Sequence, residues 1–408
     1  MAGRKLHYGW AVCAACALLL FCVGGLSTTG FSAYQPYLIS VGGLTNTQAS
    51  SVILFRTLFT MIGMFFVTRL IHLLEIRRLV TIAMVISAIS FFLYGFADSF
   101  AEYCAAASLA GAALGIGGMV PVSVVIARWF NEHRGLALGI CMAATGFSAI
   151  VASPYITLMV NKTSLRATFL FEGAFVLVSA LVVYHILRSR PSCMHVEAIG
   201  AHHNVEGRHV YAKHSAPKGL YFGMMAGVFL FGIPGNTLYS HISVLYRSVG
   251  MDEMKVSALL SIFGTALMVG KCAYGQVADR FGTWRSSWLL YACTAVGTAL
   301  SCMAGNGSYG IAVTAMILMG FGLAVTTVSL SMYAAGVSTE EQYSKTVTRF
   351  QVLTTLGSLA FSAVPGILAD RYGNYIPAFQ IMLVIAVISA WLLQTAYHTI
   401  RKIDVSKG

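Results

Sequence analysis

The chain has 408 residues, of which 57% are hydrophobic and 10% charged, with a formal net charge of +12. Soluble globular domains carry about a quarter of their residues as charges, so an ordinary water-soluble enzyme or binding module is excluded and an integral membrane protein is expected. The positive balance does not indicate nucleic acid as a partner, because no basic stripe interleaves with aromatics outside the apolar stretches.

Apolar runs of about 20 residues, the length that crosses a bilayer, lie near 9–34, 48–70, 79–97, 103–127, 135–159 and 166–187. After a polar stretch, six more lie near 219–245, 256–277, 286–303, 308–333, 346–369 and 376–397. The pattern predicts an all-α integral membrane protein with twelve transmembrane helices in two six-helix bundles. These span 1–188 and 219–408, joined by a cytoplasmic linker over 189–218. The first run follows Arg4 and Lys5, as a signal peptide would, but it is long and ends without a small-residue cleavage site, so an uncleaved helix is expected. Cys13 and Cys16 share this run in C-x-x-C spacing without a metal partner, which predicts packing rather than redox chemistry, and disulfides are not expected.

Basic residues sort by side. With the N-terminus cytoplasmic, 19 fall inside and 5 outside (Lys162, Arg166, Arg247, Lys255 and Arg371); Arg56 and Lys271 in the membrane complete the 26. A miscounted helix would scramble that bias, so both termini are expected to be cytoplasmic in a multi-pass protein of the cell membrane. The halves also read as copies. Gly115 and Gly117 recur as Gly320 and Gly322, Arg77 as Arg285, and Pro154 as Pro365, at offsets near 205 to 211. Duplicated bundles of this kind hold a substrate near the bilayer midplane, between the repeats.

Charges inside the apolar runs carry the chemical information. An ammonium on a lipid-length helix costs roughly 2.5 kcal/mol upward, and Lys271 lies roughly 12 Å of helix away from Asp279 and Arg280 at the end of its run. It is expected to face protein or a water-filled cavity; the alternative is snorkelling to the interface. Arg56 lies in the second run and Arg349 near the start of the eleventh, against one acid, Glu172, of comparable depth. A cavity richer in cations than in acids attracts anions, and guanidinium pairs a carboxylate through two parallel hydrogen bonds. Structural readings remain beside these: a helix contact for Arg56, snorkelling for Arg349, and a partner role for Glu172. Tyr34 and His241 fall at corresponding places in the two halves, 207 apart, where each would line the path; an interfacial aromatic belt would also place a tyrosine there. The clustered glycines are read as close helix packing. His195, His202, His203, His209 and His214 in the linker lack metal-ligand spacing, and neither a metal nor a cofactor is expected.

GQVADRFGTWR (275–285) resembles the second-half copy of the loop signature of the major facilitator superfamily, whose positions here are Gly275, Asp279, Arg280, Gly282 and Arg285. GIGGMVPVSVVIARWFNEHRGLALGICMAATG (115–146), the N-terminal HYGW and GILADRYGNYIPAF (366–379) are similar to the branch of that superfamily containing oxalate/formate antiporters and monocarboxylate transporters. The resemblance implies a transporter cycling by alternating access, a conformational role for the loop motif, and a helix 8 cation that matches Lys271. The chain departs from the pattern in three places. The first-half loop reads RLIHLLEIRR (69–78), without aspartate or glycine; the lysine that the antiporters carry on helix 11 is Leu356 here; and the aspartate of proton-coupled monocarboxylate transporters is Leu267.

No phosphate-binding loop of a primary pump and no intramembrane acid pair for hydrolysis is present, so an enzyme is not expected. The expected function is a secondary active transporter, working as a monomer in the lipid bilayer, that moves a small organic anion, a mono- or dicarboxylate. Lys271, Arg56, Tyr34, His241 and Arg349 are its substrate-binding residues. Proton-linked movement is favoured because the antiporters' helix 11 lysine is missing. A carboxylate exchanger, a drug-like efflux facilitator and a non-transporting anion sensor stay open as alternatives.

Overall fold

A computed structural model of the chain describes residues 7–130, 133–194, 196–199, 212 and 216–406. The linker histidines His195, His202, His203, His209 and His214 lie outside them. The first crossing is composite: α1 (Tyr8–Leu19) runs into a π-helix over Leu20–Gly30 and a 3-10 turn over Phe31–Ala33, and α2 (Gln35–Ser40) follows. Then come α3 (Asn46–Leu73), α4 (Ile76–Phe96), α5 (Phe100–Gly117), α6 (Met119–Trp129), α7 (Arg134–Lys162) and α8 (Leu165–Ile186). The second half holds α9 (Lys218–Ser240), α10 (Ile242–Ser248), α11 (Glu253–Phe281), α12 (Thr283–Ser301), α13 (Tyr309–Leu323), α14 (Val325–Val337), α15 (Glu340–Phe361), α16 (Val364–Tyr372) and α17 (Ile376–Ser406). No strand occurs among the described residues.

Among the described residues, ten helical stretches are long and apolar enough to cross a membrane. The remaining two of the twelve crossings are α12, whose first turns hold Thr283, Arg285, Ser286 and Ser287, and the α13–α14 pair, which breaks at Ala324. Helix starts follow local chemistry. Ser99 accepts from Glu102 N while the Glu102 carboxylate accepts from Ser99 N, a reciprocal cap on α5, and Asp252 caps α11 through Met254 N and Lys255 N. Between α11 and α12 the chain turns at Gly282, whose φ of 82° favours glycine.

By internal contacts the chain divides into two units: Met1–Phe31 with Leu58–Gly207, and Ser32–Thr57 with Arg208–Gly408. The far ends of the first two crossings thus group with the second repeat. In unit 1 a Cβ added to Gly115 would stand 2.8 Å from Gly63 Cα, and in unit 2 one on Gly320 would stand 2.5 Å from Phe263 O, so the fourth crossing packs on the second as the tenth does on the eighth. Likewise a Cβ on Gly25 would meet Ser148 Cβ at 2.5 Å and one on Gly232 would meet Thr354 Cα at 2.8 Å, pairing crossings 1 with 5 and 7 with 11. These matched seams are the duplication written as contacts, since only helices without side chains there approach so closely. In unit 1 the Tyr94 ring packs against those of Phe31, Phe91, Tyr103 and Phe169. Unit 2 has a core around Phe231, Tyr274, Tyr291, Tyr333, Phe350 and Tyr397. Two of its phenols are hydrogen-bonded to side chains: Tyr274 Oη lies 2.7 Å from Ser287 Oγ, and Gln394 Nε2 donates to Tyr333 Oη at 3.0 Å.

Linker residues dock at equivalent points. Ile199 N donates to Trp129 O at 2.9 Å within unit 1, and Ala212 N to Ala335 O at 3.1 Å within unit 2.

Candidate functional site

Burial periodicity decides where the intramembrane charges point. On α3 the packed stripe runs Ala49, Val52, Ile53, Arg56 and Thr60, and Arg56 is 4% exposed. On α11 it runs Phe263, Leu267, Lys271, Tyr274 and Ala278, while Val269 and Cys272 are exposed. Lys271, 7% exposed, therefore belongs to the protein-packed face of its helix, since residues three and four apart share a face. Gly270 brings this part of α11 onto the α13–α14 break: an added Cβ would stand 2.9 Å from both Ala324 Cβ and Phe321 O. Arg56 and Lys271 are the charged Lys, Arg, Asp or Glu side chains buried in unit 2 among the described residues. In unit 1 the corresponding group is an acid, Glu172, 4% exposed on α8. Cys22 of the π-helix and Tyr155 of α7 lie within electrostatic reach of its carboxylate.

His241 sits at the junction of α9 and α10 and is fully buried. Its Nδ1 lies 3.0 Å from Thr237 O and its Nε2 3.2 Å from Ser50 Oγ. A carbonyl only accepts, so Nδ1 carries the proton and Nε2 accepts from the serine hydroxyl in the neutral ring. The imidazole also packs on the Tyr375 ring, centroids 5.9 Å apart, and the Arg56 charge acts on it. Tyr34, fully buried, precedes α2, and its carbonyl receives Tyr37 N and Leu38 N. Unit 2 thus brings Arg56, Tyr34, His241 and Lys271 into one compact body. Arg349 is placed otherwise, exposed in the first half of α15.

In the loop motif, Gly282 makes the turn and Gly282 N caps α11 on Ala278 O at 2.8 Å. Ser286 Oγ donates to Val277 O at 3.1 Å, fastening α12 to α11. Arg280 and Arg285 are exposed, and the Arg280 guanidinium lies 5.6 Å from the Phe281 ring centroid. Gly275 and Asp279 are helical, and the Asp279 side chain lies outside the described ones.

Sequence reasoning did not reach a second set of residues around His241. Asp370, beyond α15 on α16, accepts from Asn46 N and Thr47 N at 3.2 and 2.9 Å, and from Asn46 Nδ2 and Thr47 Oγ1 at 2.8 and 2.5 Å. Tyr375 Oη donates to Asn46 Oδ1 at 3.1 Å, and Ser243 Oγ donates to Ser32 O. A signal for Asp370 is present in the chain: Ala-Asp-Arg-Tyr-Gly over 369–373 repeats the Ala-Asp-Arg-Phe-Gly of 278–282. Both copies end a helix on a glycine of positive φ, 82° at Gly282 and 76° at Gly373.

Known proteins resemble the chain over most of its length. The family model of the Major Facilitator Superfamily matches residues 16–285 and 224–405. Monocarboxylate transporter 13 of Rattus norvegicus is 23% identical over 336 residues, covering 81% of this chain and 75% of the relative. Among solved structures, the nucleoside transporter NupG superposes with a TM-score of 0.73 at 13% identity, covering 96% of this chain and 99% of its own. A D-xylose-proton symporter superposes with a TM-score of 0.70 at 14% identity, over 95% and 97% of the two chains. At these identities the superpositions speak for the fold.

Proposed function

The chain belongs to the Major Facilitator Superfamily of membrane transporters rather than to any enzyme family, and from that premise we propose that it is a secondary active transporter of a small organic anion, a mono- or dicarboxylate. The observation that carries this reading is the pair of buried cations, Arg56 and Lys271, in unit 2. A buried guanidinium and a buried ammonium favour an anionic substrate over a neutral or cationic one, because charge-assisted hydrogen bonds to a carboxylate are roughly twice as strong as neutral ones. Monocarboxylate transporter 13, the rat relative, carries that substrate class in its name, which supports the same choice.

In the proposed cycle the carboxylate is handed between Arg56 and Lys271, Tyr34 donates a hydrogen bond to it, His241 lines its path, and Arg349 draws anions towards the inner mouth. The two repeats rock about this site, and the motif of Gly275, Asp279, Arg280, Gly282 and Arg285 fastens the inner ends of α11 and α12. Both termini are cytoplasmic and the monomer is the transporting unit in the cell membrane. Movement is linked to protons. Leu267 stands one turn from Lys271 where an acid would otherwise serve, so the proton rides on His241, on Glu172 or on the substrate itself, and His241 is the carrier proposed. An anion arriving beside Arg56 favours the imidazolium, and Nε2 then turns from acceptor to donor towards Ser50. Substrate and proton occupancy are thereby joined at one side chain.

A panel of labelled two- to four-carbon mono- and dicarboxylates, offered to purified protein in proteoliposomes, tests the reading. Saturable uptake of at least one acid, competed by other carboxylates and indifferent to neutral or cationic analogues, is the expected result. Competition by a cation overturns the anion assignment, and binding without uptake leaves an anion sensor.

A further inference from the structure

The grouping of Ser32–Thr57 with the second repeat has a physical origin in side chains far apart in sequence. Helix α3 begins at Asn46, and its first three amides are satisfied from two sources. Thr45 and Gln48 cap each other: Gln48 Oε1 accepts from Thr45 N at 2.9 Å and Thr45 Oγ1 accepts from Gln48 N at 3.2 Å. The Asn46 and Thr47 amides go instead to the Asp370 carboxylate, 324 and 323 residues away in the chain. A carboxylate at a helix N-terminus is favoured by the exposed amides and by the helix dipole. The contact is close because α16 presents Gly366 there: an added Cβ would stand 2.5 Å from Ser50 Oγ and 2.7 Å from the Asn46 carbonyl carbon. Ser50 is the residue that bonds His241, and Asn46 receives the Tyr375 hydroxyl.

We propose that Asp370 is the keystone of a separable latch, capping α3 from across the repeat boundary and holding the Asn46 end of the second crossing, with the Ser32–Ser243 seam behind it, closed. The self-cap by Thr45 and Gln48 makes the latch reversible. When Asp370 withdraws, α3 keeps its own N-terminal bonds, and the two released amides, which lie at an exposed helix end, turn to water. Asp370 is thus a positioning residue: it touches no substrate and acts by setting how often this end opens. On the topology proposed above this is the outer end, and the latch rests on the transport reading in that its opening is a step of the cycle.

The test is thiol accessibility without substrate, so that failure of the carboxylate assignment and failure of the latch are distinguishable. Ser243, 1% exposed, is replaced by cysteine in a background whose nine native cysteines are serine, and its labelling by a membrane-impermeant methanethiosulfonate is timed. Asp370→Asn, which keeps the shape and loses the charge, is expected to speed labelling about ten-fold, equal to about 1.4 kcal/mol of closure and within the range of a lost cap. Gly366→Ala, which wedges the same seam without touching the charge, is expected to do at least as much. Deuterium exchange of the native-cysteine protein reads the latch directly: Asp370→Asn should speed exchange at the Asn46 and Thr47 amides and leave those of the self-capped α5 start unchanged. Labelling within three-fold of the parent in both variants, or unchanged exchange at Asn46 and Thr47, overturns the proposal.

Discussion

The paired glycine seams carry a prediction with an internal control. In Gly320→Ala the new methyl would stand 2.5 Å from Phe263 O and 2.9 Å from Ala266 Cβ, so α13 must back away from α11 by about 0.9 Å before ordinary contact is restored at 3.4 Å. The nearer obstacle is backbone, which has no rotamer to adopt. Overpacking of this kind costs about 1–3 kcal/mol, offset by ~1 kcal/mol from the better helix propensity of alanine, which leaves a net loss of about 0–2 kcal/mol; contact with unyielding backbone puts this site towards the upper end. Gly139 on α7 has nothing within 4 Å of its added Cβ, so Gly139→Ala keeps the propensity gain and meets no obstacle. Thermal unfolding in detergent, followed by intrinsic fluorescence, should place Gly320→Ala several degrees below the parent and Gly139→Ala at or above it. Gly115→Ala, the matching seam of unit 1, should fall with Gly320→Ala. A Gly320→Ala protein that melts with Gly139→Ala would refute the seam.

Two further outcomes follow from the charges. Single cysteines at Thr45 and Asn306 should label from outside intact cells while those at Asn204 and Ser406 should not; labelling at Asn204 would break the two-by-six topology. An inward proton gradient should accelerate monocarboxylate uptake, and His241→Ala should blunt that acceleration, because the proposed proton carrier beside Ser50 is gone. Uptake indifferent to the gradient but stimulated by internal carboxylate would assign anion exchange instead.

Much of the helical architecture was legible because a charge or its absence over 20 residues decides what can lie in lipid. The first expected run, 9–34, contains the π-helix of Leu20–Gly30, which hydropathy does not register. Within and beside it Thr28 Oγ1 donates to Gly24 O at 2.5 Å and Thr29 Oγ1 reaches Thr145 O on α7 at 2.7 Å, the second a tertiary contact that no hydropathy window contains. Likewise 308–333 reads as one apolar run and breaks at Ala324, against which Gly270 packs, a tertiary contact with no period in the sequence. The burial of Arg56 and Lys271 was readable from the cost of facing such charges to lipid. The surroundings of His241 were not, since Ser50 and Tyr375 reach it from 191 residues before and 134 residues after, and the Asp370 cap joins positions more than 300 apart. Spacing rules see neighbours on one helix, whereas these pairs exist only once helices from both repeats are folded together.

Initial-rate uptake of a labelled monocarboxylate by proteoliposomes carrying Lys271 variants tests the central claim most directly. Removing one partner of a buried charge pair costs about 3 kcal/mol, roughly 100-fold in apparent affinity. Lys271→Gln is therefore expected to abolish measurable uptake while the protein stays folded and in the membrane, and Lys271→Arg, which keeps the charge with a different reach, to retain part of it. Near-normal uptake by Lys271→Gln would contradict the account and leave the buried lysine without a part in binding the anion.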